Sequence, residues 1–152
     1  MTEGPDVGAI VACVDRVGRV LVVKQVSGPF AGAWLLPGGA VERGERVDDG
    51  ARRELAEETG YRVDELRPTA LYEVRSVAPG AFDLLLLMYR GGEVVGTLRA
   101  EAGSTVRWVH PGEIDLHPSM AVQLADLGLI ERDGAALSRD LAHIGVEMRR
   151  VF

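Results

Sequence analysis

The sequence holds a single cysteine, Cys13, among 152 residues. No intramolecular disulfide and no cysteine zinc cluster can form from it. Its apolar neighbours mark an inert core thiol. Aromatic residues make up only 5% of the chain. No apolar run, Leu84 to Met88 included, approaches the roughly 20 residues that cross a bilayer. The N-terminal stretch has neither a basic leader nor a small-residue cleavage site, so no signal peptide is expected and a cytoplasmic location is. Positive charge is in deficit, with 17 Lys and Arg against 23 Asp and Glu. That balance argues against nucleic acid as a partner, which would call for a basic stripe, and no membrane partner is expected. A net charge of −6 suits a cation-binding site instead.

What remains is the composition of a globular chain, 47% hydrophobic and 26% charged. The length implies one domain over 1–152, able to bury roughly 68–70% of its unfolded surface. Residues 7–14 and 20–25 are β-branched and apolar around a glycine-containing turn, the pattern of a β-hairpin. Residues 34–39 read as a short strand stopped by Pro37 and two glycines. The pattern predicts a helix over 47–59 that ends at Gly60. Residues 67–76 and 82–90 read as paired strands, 91–98 as an edge piece and 105–109 as a further strand. A helix is expected over 118–130, opened by Pro118, and another over 135–149. The C-terminal part, about 118–152, has three open roles: completing the fold, capping a cleft or forming a homodimer contact. Strands with one early helix between them imply an α+β layer structure with a mixed β-sheet.

The segment GARRELAEETG, Gly50 to Gly60, places Glu54, Glu57 and Glu58 within one turn. At about 100° per residue the three fall within an arc of about 100°, while Ala51 and Leu55 point to an adjacent sector. Such carboxylates repel one another. They form either a solvated acidic face or a set that holds a cation. The upstream loop PGGAVERGER adds Glu42 and Glu45 and lets main-chain carbonyls approach the same point. Oxygen donors without Cys or His favour a hard cation over zinc.

The stretch Gly39 to Tyr61 resembles the signature of the Nudix hydrolase family, G-x5-E-x7-R-E-U-x-E-E-x-G-U, with U a bulky apolar residue. Gly39, Glu45, Arg53, Glu54, Leu55, Glu57, Glu58, Gly60 and Tyr61 fill its defined positions. Trp34 to Gly38 resembles the family's lead-in. The resemblance implies an α/β/α sandwich. It also implies Mg2+ as cofactor, with Mn2+ able to substitute, and a small nucleotide derivative as partner. The implied reaction is hydrolysis of a nucleoside diphosphate linked to another moiety, such as a nucleotide sugar, ADP-ribose or a dinucleotide. Oxidised or noncanonical (d)NTPs are the alternative substrates. A non-catalytic nucleotide sensor is the reading of a different class, although no box glutamate is missing. Carried over by position, Glu54, Glu57, Glu58 and Arg53 form the catalytic set. Gly39, Glu54, Glu57, Glu58 and Glu101 are the metal positions, with Glu54 a ligand or the general base. Arg53 is expected to orient a carboxylate, and Glu45 to support the set or join it.

Phe30, Trp34 and Tyr72 are candidates to stack on a base, against the competing reading that each is core. Pro79 stands near where ADP-ribose pyrophosphatases carry a proline. Two positions depart from the family pattern. Arg46 replaces the usual Ser or Thr helix cap, so a cap is expected elsewhere, at Asp48 if the helix starts later. Gly50 replaces Ala, which either makes room for a phosphate or is simply tolerated.

Overall fold

The computed structural model describes residues 4–28, 30–78 and 81–152. Pro79 and the extreme N-terminus therefore lie outside the described residues. Strand β1 (Asp6–Ala12) is buried on both faces because its two side-chain sets meet different helical layers. Ala9, Val11 and Cys13 join Ala51 and Leu55 of helix α1 (Val47–Thr59). Ile10 and Ala12 face the other way, towards Met120 and Leu124 of α2 (Pro118–Asp126) and Leu141 of α3 (Gly134–His143). The period-two alternation of one strand thus separates two hydrophobic clusters, and the helices close them from opposite sides.

The larger sheet has the order β10-β6-β7-β1-β4, where β4 is Gly38–Ala40, β6 is Leu66–Ser76, β7 is Asp83–Gly91 and β10 is Val146–Arg150. It is mixed, as expected: β1 runs parallel to β7, and the other pairs are antiparallel. A second sheet holds β2 (Val20–Lys24) between β3 (Trp34–Leu35) and β9 (Val106–Val109). The edge piece at 91–98 becomes β8 (Val94–Gly96), paired with β5 (Tyr61–Val63) in a two-stranded sheet.

Several sequence expectations need correction. The first two strands meet only at the Val14–Val20 bridge and then diverge into different sheets. Pro37 stops β3, but the two glycines that follow start β4 against β1. Residues 135–149 are not one helix. The chain leaves α3 through Gly145, at φ 75°, and then forms β10 on the edge of β6. Val146 is buried there while Glu147 is exposed, which is a strand pattern. The C-terminal segment therefore completes the large sheet. Helix α2 stops at Asp126 rather than 130, with Gly128 in the turn beyond it. Helix α1 starts at Val47 behind an extended Arg46 that makes no side-chain cap. Asp48 sits inside its first turn with Asp49, where both charges favour the positive end of the helix dipole.

Candidate active site

Helix α1 carries the carboxylates and β4 faces them. Gly60 ends the helix in a left-handed conformation at φ 76°, its N–H bonded to the Ala56 carbonyl. Leu55 and Ala51 anchor the opposite sector in the core, and this fixes the helix phase. The glutamates then point towards the Gly38–Ala40 backbone.

Arg53 organises the set. Its guanidinium has five N–H donors, and each finds an oxygen. Nε and Nη2 donate to the two Glu45 oxygens at 2.8 and 3.0 Å, and Nη2 also reaches the Ala40 carbonyl at 3.0 Å. Nη1 donates to Glu54 at 3.0 Å and to Glu57 at 3.2 Å. This fork holds the Glu45 carboxyl down at about 2, through its hydrogen bonds first. Glu45 is thereby committed to Arg53 and to the Glu42 N–H. It positions the site rather than lining it.

Gly50 lies against the same carboxylate. A Cβ on it would lie 2.9 Å from Glu45 Oε1 and 3.2 Å from Val41 Cγ2. The Glu45 carboxylate takes up this space, so it is not an open gap for a phosphate. Gly39 is as tightly placed, since a Cβ there would come within 2.6 Å of the Glu54 carboxyl carbon.

Glu58 is the most enclosed of the three, only 8% exposed. One oxygen accepts the Gly38 N–H at 2.7 Å. Burial pushes its carboxyl up to about 7, helped by the charges of Glu54, Glu101 and Glu57. Burial also raises Glu54, with Glu57 and Glu101 adding to the effect. Glu101, on the loop before β9, thus stands close enough to act on both. Among the described residues no three His, Cys, Asp or Glu side chains already converge into a metal cage. The donor set itself fits a hard divalent cation: carboxylates, a strand backbone against them, and no nitrogen or sulfur ligand.

Beside this face lies a cavity of about 580 Å3. It shares the Gly38–Ala40 strand with the glutamates and is walled by Phe30, Leu84 and Leu86. Of the three aromatic candidates only Phe30 reaches it, packed on His117 at 4.5 Å and edge-on to Phe82 at 5.8 Å. Trp34 is half-buried on β3 with the Arg107 guanidinium 5.5 Å from its ring, away from the cavity. Tyr72 corrects the stacking expectation. It is fully buried, its hydroxyl donating to Asp126 at 2.6 Å, and has no face for a base. Sequence reasoning missed Ser119 and Gln123, which also line the cavity. Two polar residues four apart in a mostly apolar helix were the available signal.

The family model of the NUDIX domain matches residues 4–127. The chain belongs to the Nudix family. A Bacillus subtilis protein named "Putative 8-oxo-dGTP diphosphatase" is 32% identical over 109 residues, 72% of this chain and 69% of its own. An ADP-ribose pyrophosphatase of Methanocaldococcus jannaschii is 40% identical, but over only 52 residues, 34% of this chain and 31% of its own. The crystal structure of a MutT NUDIX hydrolase from Burkholderia pseudomallei superposes with a TM-score of 0.73 at 27% identity, covering 82% of this chain and 99% of that one. The α+β architecture is that of the Nudix fold, and the chain is a Nudix hydrolase. Enzymes of this family cleave phosphoanhydrides with divalent cations. No helix among the described residues is long and apolar enough to cross a membrane.

Proposed function

We propose that this Nudix hydrolase is a single-domain cytoplasmic enzyme that hydrolyses nucleoside 5′-triphosphates, oxidised or otherwise noncanonical ones included, to the monophosphate and pyrophosphate. The observation that carries this reading is the large cavity beside the glutamates. Its apolar walls suit a flat, uncharged moiety, and no Lys or Arg is among its described lining residues. A nucleoside triphosphate has one such moiety and a charged tail that lies outside it. The second cavity, about 340 Å3, opens between α1 and β5, beside Arg52 and Arg62. It does not adjoin the first.

Glu57 and Glu58, with the Gly39 carbonyl and Glu101, are the groups we assign to hold the cation, taken as Mg2+ with Mn2+ able to replace it, and Glu54 is left as the general base. The cation supplies neutralisation of phosphate charge and a lowered pKa for attacking water. Glu54, raised by burial and facing the strand, accepts the proton as water oxygen bonds to phosphorus and the anhydride bond breaks. Arg53 donates to Glu54 and Glu57, and through these bonds it positions the set.

A second reading, hydrolysis of a nucleoside diphosphate linked to another group, is favoured by the similarity to the ADP-ribose pyrophosphatase. One screen separates the two. Canonical dNTPs, 8-oxo-dGTP, ADP-ribose, nucleotide sugars and dinucleoside polyphosphates are incubated with Mg2+, and products are identified by mass. A triphosphate should have a kcat/KM at least about 10-fold above ADP-ribose, and Glu57→Gln should lower it about 100-fold or more. ADP-ribose as the best substrate overturns the first reading. A ligand-induced thermal shift with no turnover on any compound overturns both and leaves a sensor.

A further inference from the structure

We infer that strand β10 is the contact through which two copies of this chain pair, edge to edge and antiparallel, about a two-fold axis at Met148. The partner is a second copy because the exposed charges of β10 are complementary to themselves in that register. No β10 residue lines either cavity, so the pairing does not depend on which substrate is cleaved.

β10 is the outermost strand of the large sheet and pairs with β6 alone. An antiparallel strand bonds its neighbour through every second residue. The Val77 N–H donates to the Gly145 carbonyl at 2.8 Å, and the Val151 N–H donates to the Leu71 carbonyl at 2.7 Å. Gly145 and Val151 thus mark the residues whose main chain faces β6, and Glu147 and Arg149 fall in step with them. The N–H and C=O groups of Val146, Met148 and Arg150 point the other way. Among the described residues no other segment bonds them. Such an unpaired row is a template for another strand. Natural edges are commonly blunted by lysine, proline or a bulge. β10 has none of these. Its register against β6 is unbroken, and its charges are of both signs.

The charges select the register. Pairing about Met148 sets Met148 opposite itself, Val146 opposite Arg150, and Glu147 opposite Arg149 of the second copy. Met148, Val146 and Arg150 exchange hydrogen bonds through their outward groups. The Glu147–Arg149 pairs fall at the non-hydrogen-bonded positions, where facing side chains come closest. Both residues are exposed on the solvent face, because Val146 and Met148 turn towards the cluster under α2 and α3. A two-fold axis at Glu147 or at Arg149 would instead oppose like charges, which is destabilising. On the same face Arg149 pairs with Glu73, and Arg75 pairs with Glu73 and Asp83. Glu147 has no ion-pair partner among the described residues, and Arg149 of the second copy supplies one. Ile144 and Phe152, 44% and 56% exposed, flank β10, and the same axis brings one near the other. The opposite edge of the sheet is β4, which holds Gly39 beside Glu54, so the glutamates of both copies stay open.

The test is the oligomeric state of the full chain. Sedimentation equilibrium should show a monomer–dimer equilibrium that weakens as salt screens the pairs. Glu147→Arg and Arg149→Glu should each weaken the dimer at least about 10-fold, because each makes both cross-strand pairs repulsive. Mixed one to one, the two variants should recover it as a heterodimer, in which unlike charges again face each other at both positions. Thermal melts confirm that each variant folds. In the wild type, amide hydrogen exchange should slow at Val146, Met148 and Arg150 as concentration rises. Glu147 and Arg149, already bonded to β6, should show no such dependence. A wild-type chain that stays monomeric up to about 1 mM overturns the inference. So does a dimer that leaves exchange at Val146, Met148 and Arg150 unchanged, a pair of folded variants that dimerise as tightly as wild type, or a mixture of the two that stays monomeric.

Discussion

Replacing Glu58 by Gln should stabilise the metal-free protein at neutral pH while abolishing its activity. The wild-type carboxyl is 8% exposed and accepts the Gly38 N–H. Gln keeps the acceptor oxygen and removes the charge. In the folded chain the Glu58 carboxyl rises from its ordinary 4.5 to about 7, chiefly through burial. The folded state then binds this proton more tightly than the unfolded state. Stability must fall as pH climbs from about 4.5 to about 7, and the loss is complete above 7. At about 1.4 kcal/mol per pH unit the loss is at most about 3 kcal/mol. The new amide N–H2 also needs a partner, at a cost of about 1–3 kcal/mol, which leaves a net gain of up to about 2 kcal/mol for Glu58→Gln at pH 8. For a chain of this length each kcal/mol moves Tm by about 2–4 °C. Calorimetry in EDTA from pH 4.5 to 8.5 should show the variant melting higher by up to about 8 °C at pH 8 and no higher than wild type at pH 4.5. Mg2+ should raise the wild-type Tm and leave the variant where it was. A variant less stable than wild type at pH 8, or a difference that ignores pH, would refute this account of Glu58.

Two further substitutions separate stability from activity. Gly50→Ala should gain about 0.5–1 kcal/mol of helix stability yet lower kcat about 10-fold or more. Its Cβ displaces the Glu45 carboxylate, 2.9 Å away, and loosens the Arg53 fork; denaturant melts and steady-state kinetics check the two halves separately. Tyr72→Phe deletes the hydroxyl that donates to Asp126 and should cost about 1–2 kcal/mol, with KM unchanged for every nucleotide. A raised KM would return Tyr72 to the substrate site.

The sequence made the site legible because its chemistry is local. Nine positions of the box lie within 39–61, running from β4 through one loop and helix α1 to the start of β5, so spacing alone puts Glu54, Glu57 and Glu58 on one face. Gly50 was not legible, because its meaning depends on Glu45 folding back across the helix start, which no spacing rule states. Strand β10 was misread for a related reason. Over five residues, helical and strand periods are hard to separate, and the partner that decides between them, Glu73 against Arg149, lies 76 residues away. Tyr72 was ambiguous as a lone aromatic but not as a member of Ala70, Tyr72 and Val74, three alternate positions of β6 that are all buried. Gln123 contrasts with its apolar neighbours in the sequence, but its place in the cavity wall appears only once the fold is known.

The electrostatics of α1 link these residues into one device. Three carboxylates on one helical face repel one another, and the chain offsets this with a single internal cation. Arg53 spends its five donors on Glu45, Ala40, Glu54 and Glu57. Glu58 is beyond that reach. Its hydrogen-bond donor is the neutral Gly38 N–H, and its carboxyl is the one pushed to about 7. Glu57, by contrast, is 52% exposed and pairs with Arg53 at 3.2 Å. The positive charge still lacking in the metal-free site is therefore concentrated at Glu58. A divalent cation gains most by binding there, where it replaces a proton that burial has made hard to remove. Uptake of the cation should accordingly release close to one proton near pH 6 and almost none at pH 9.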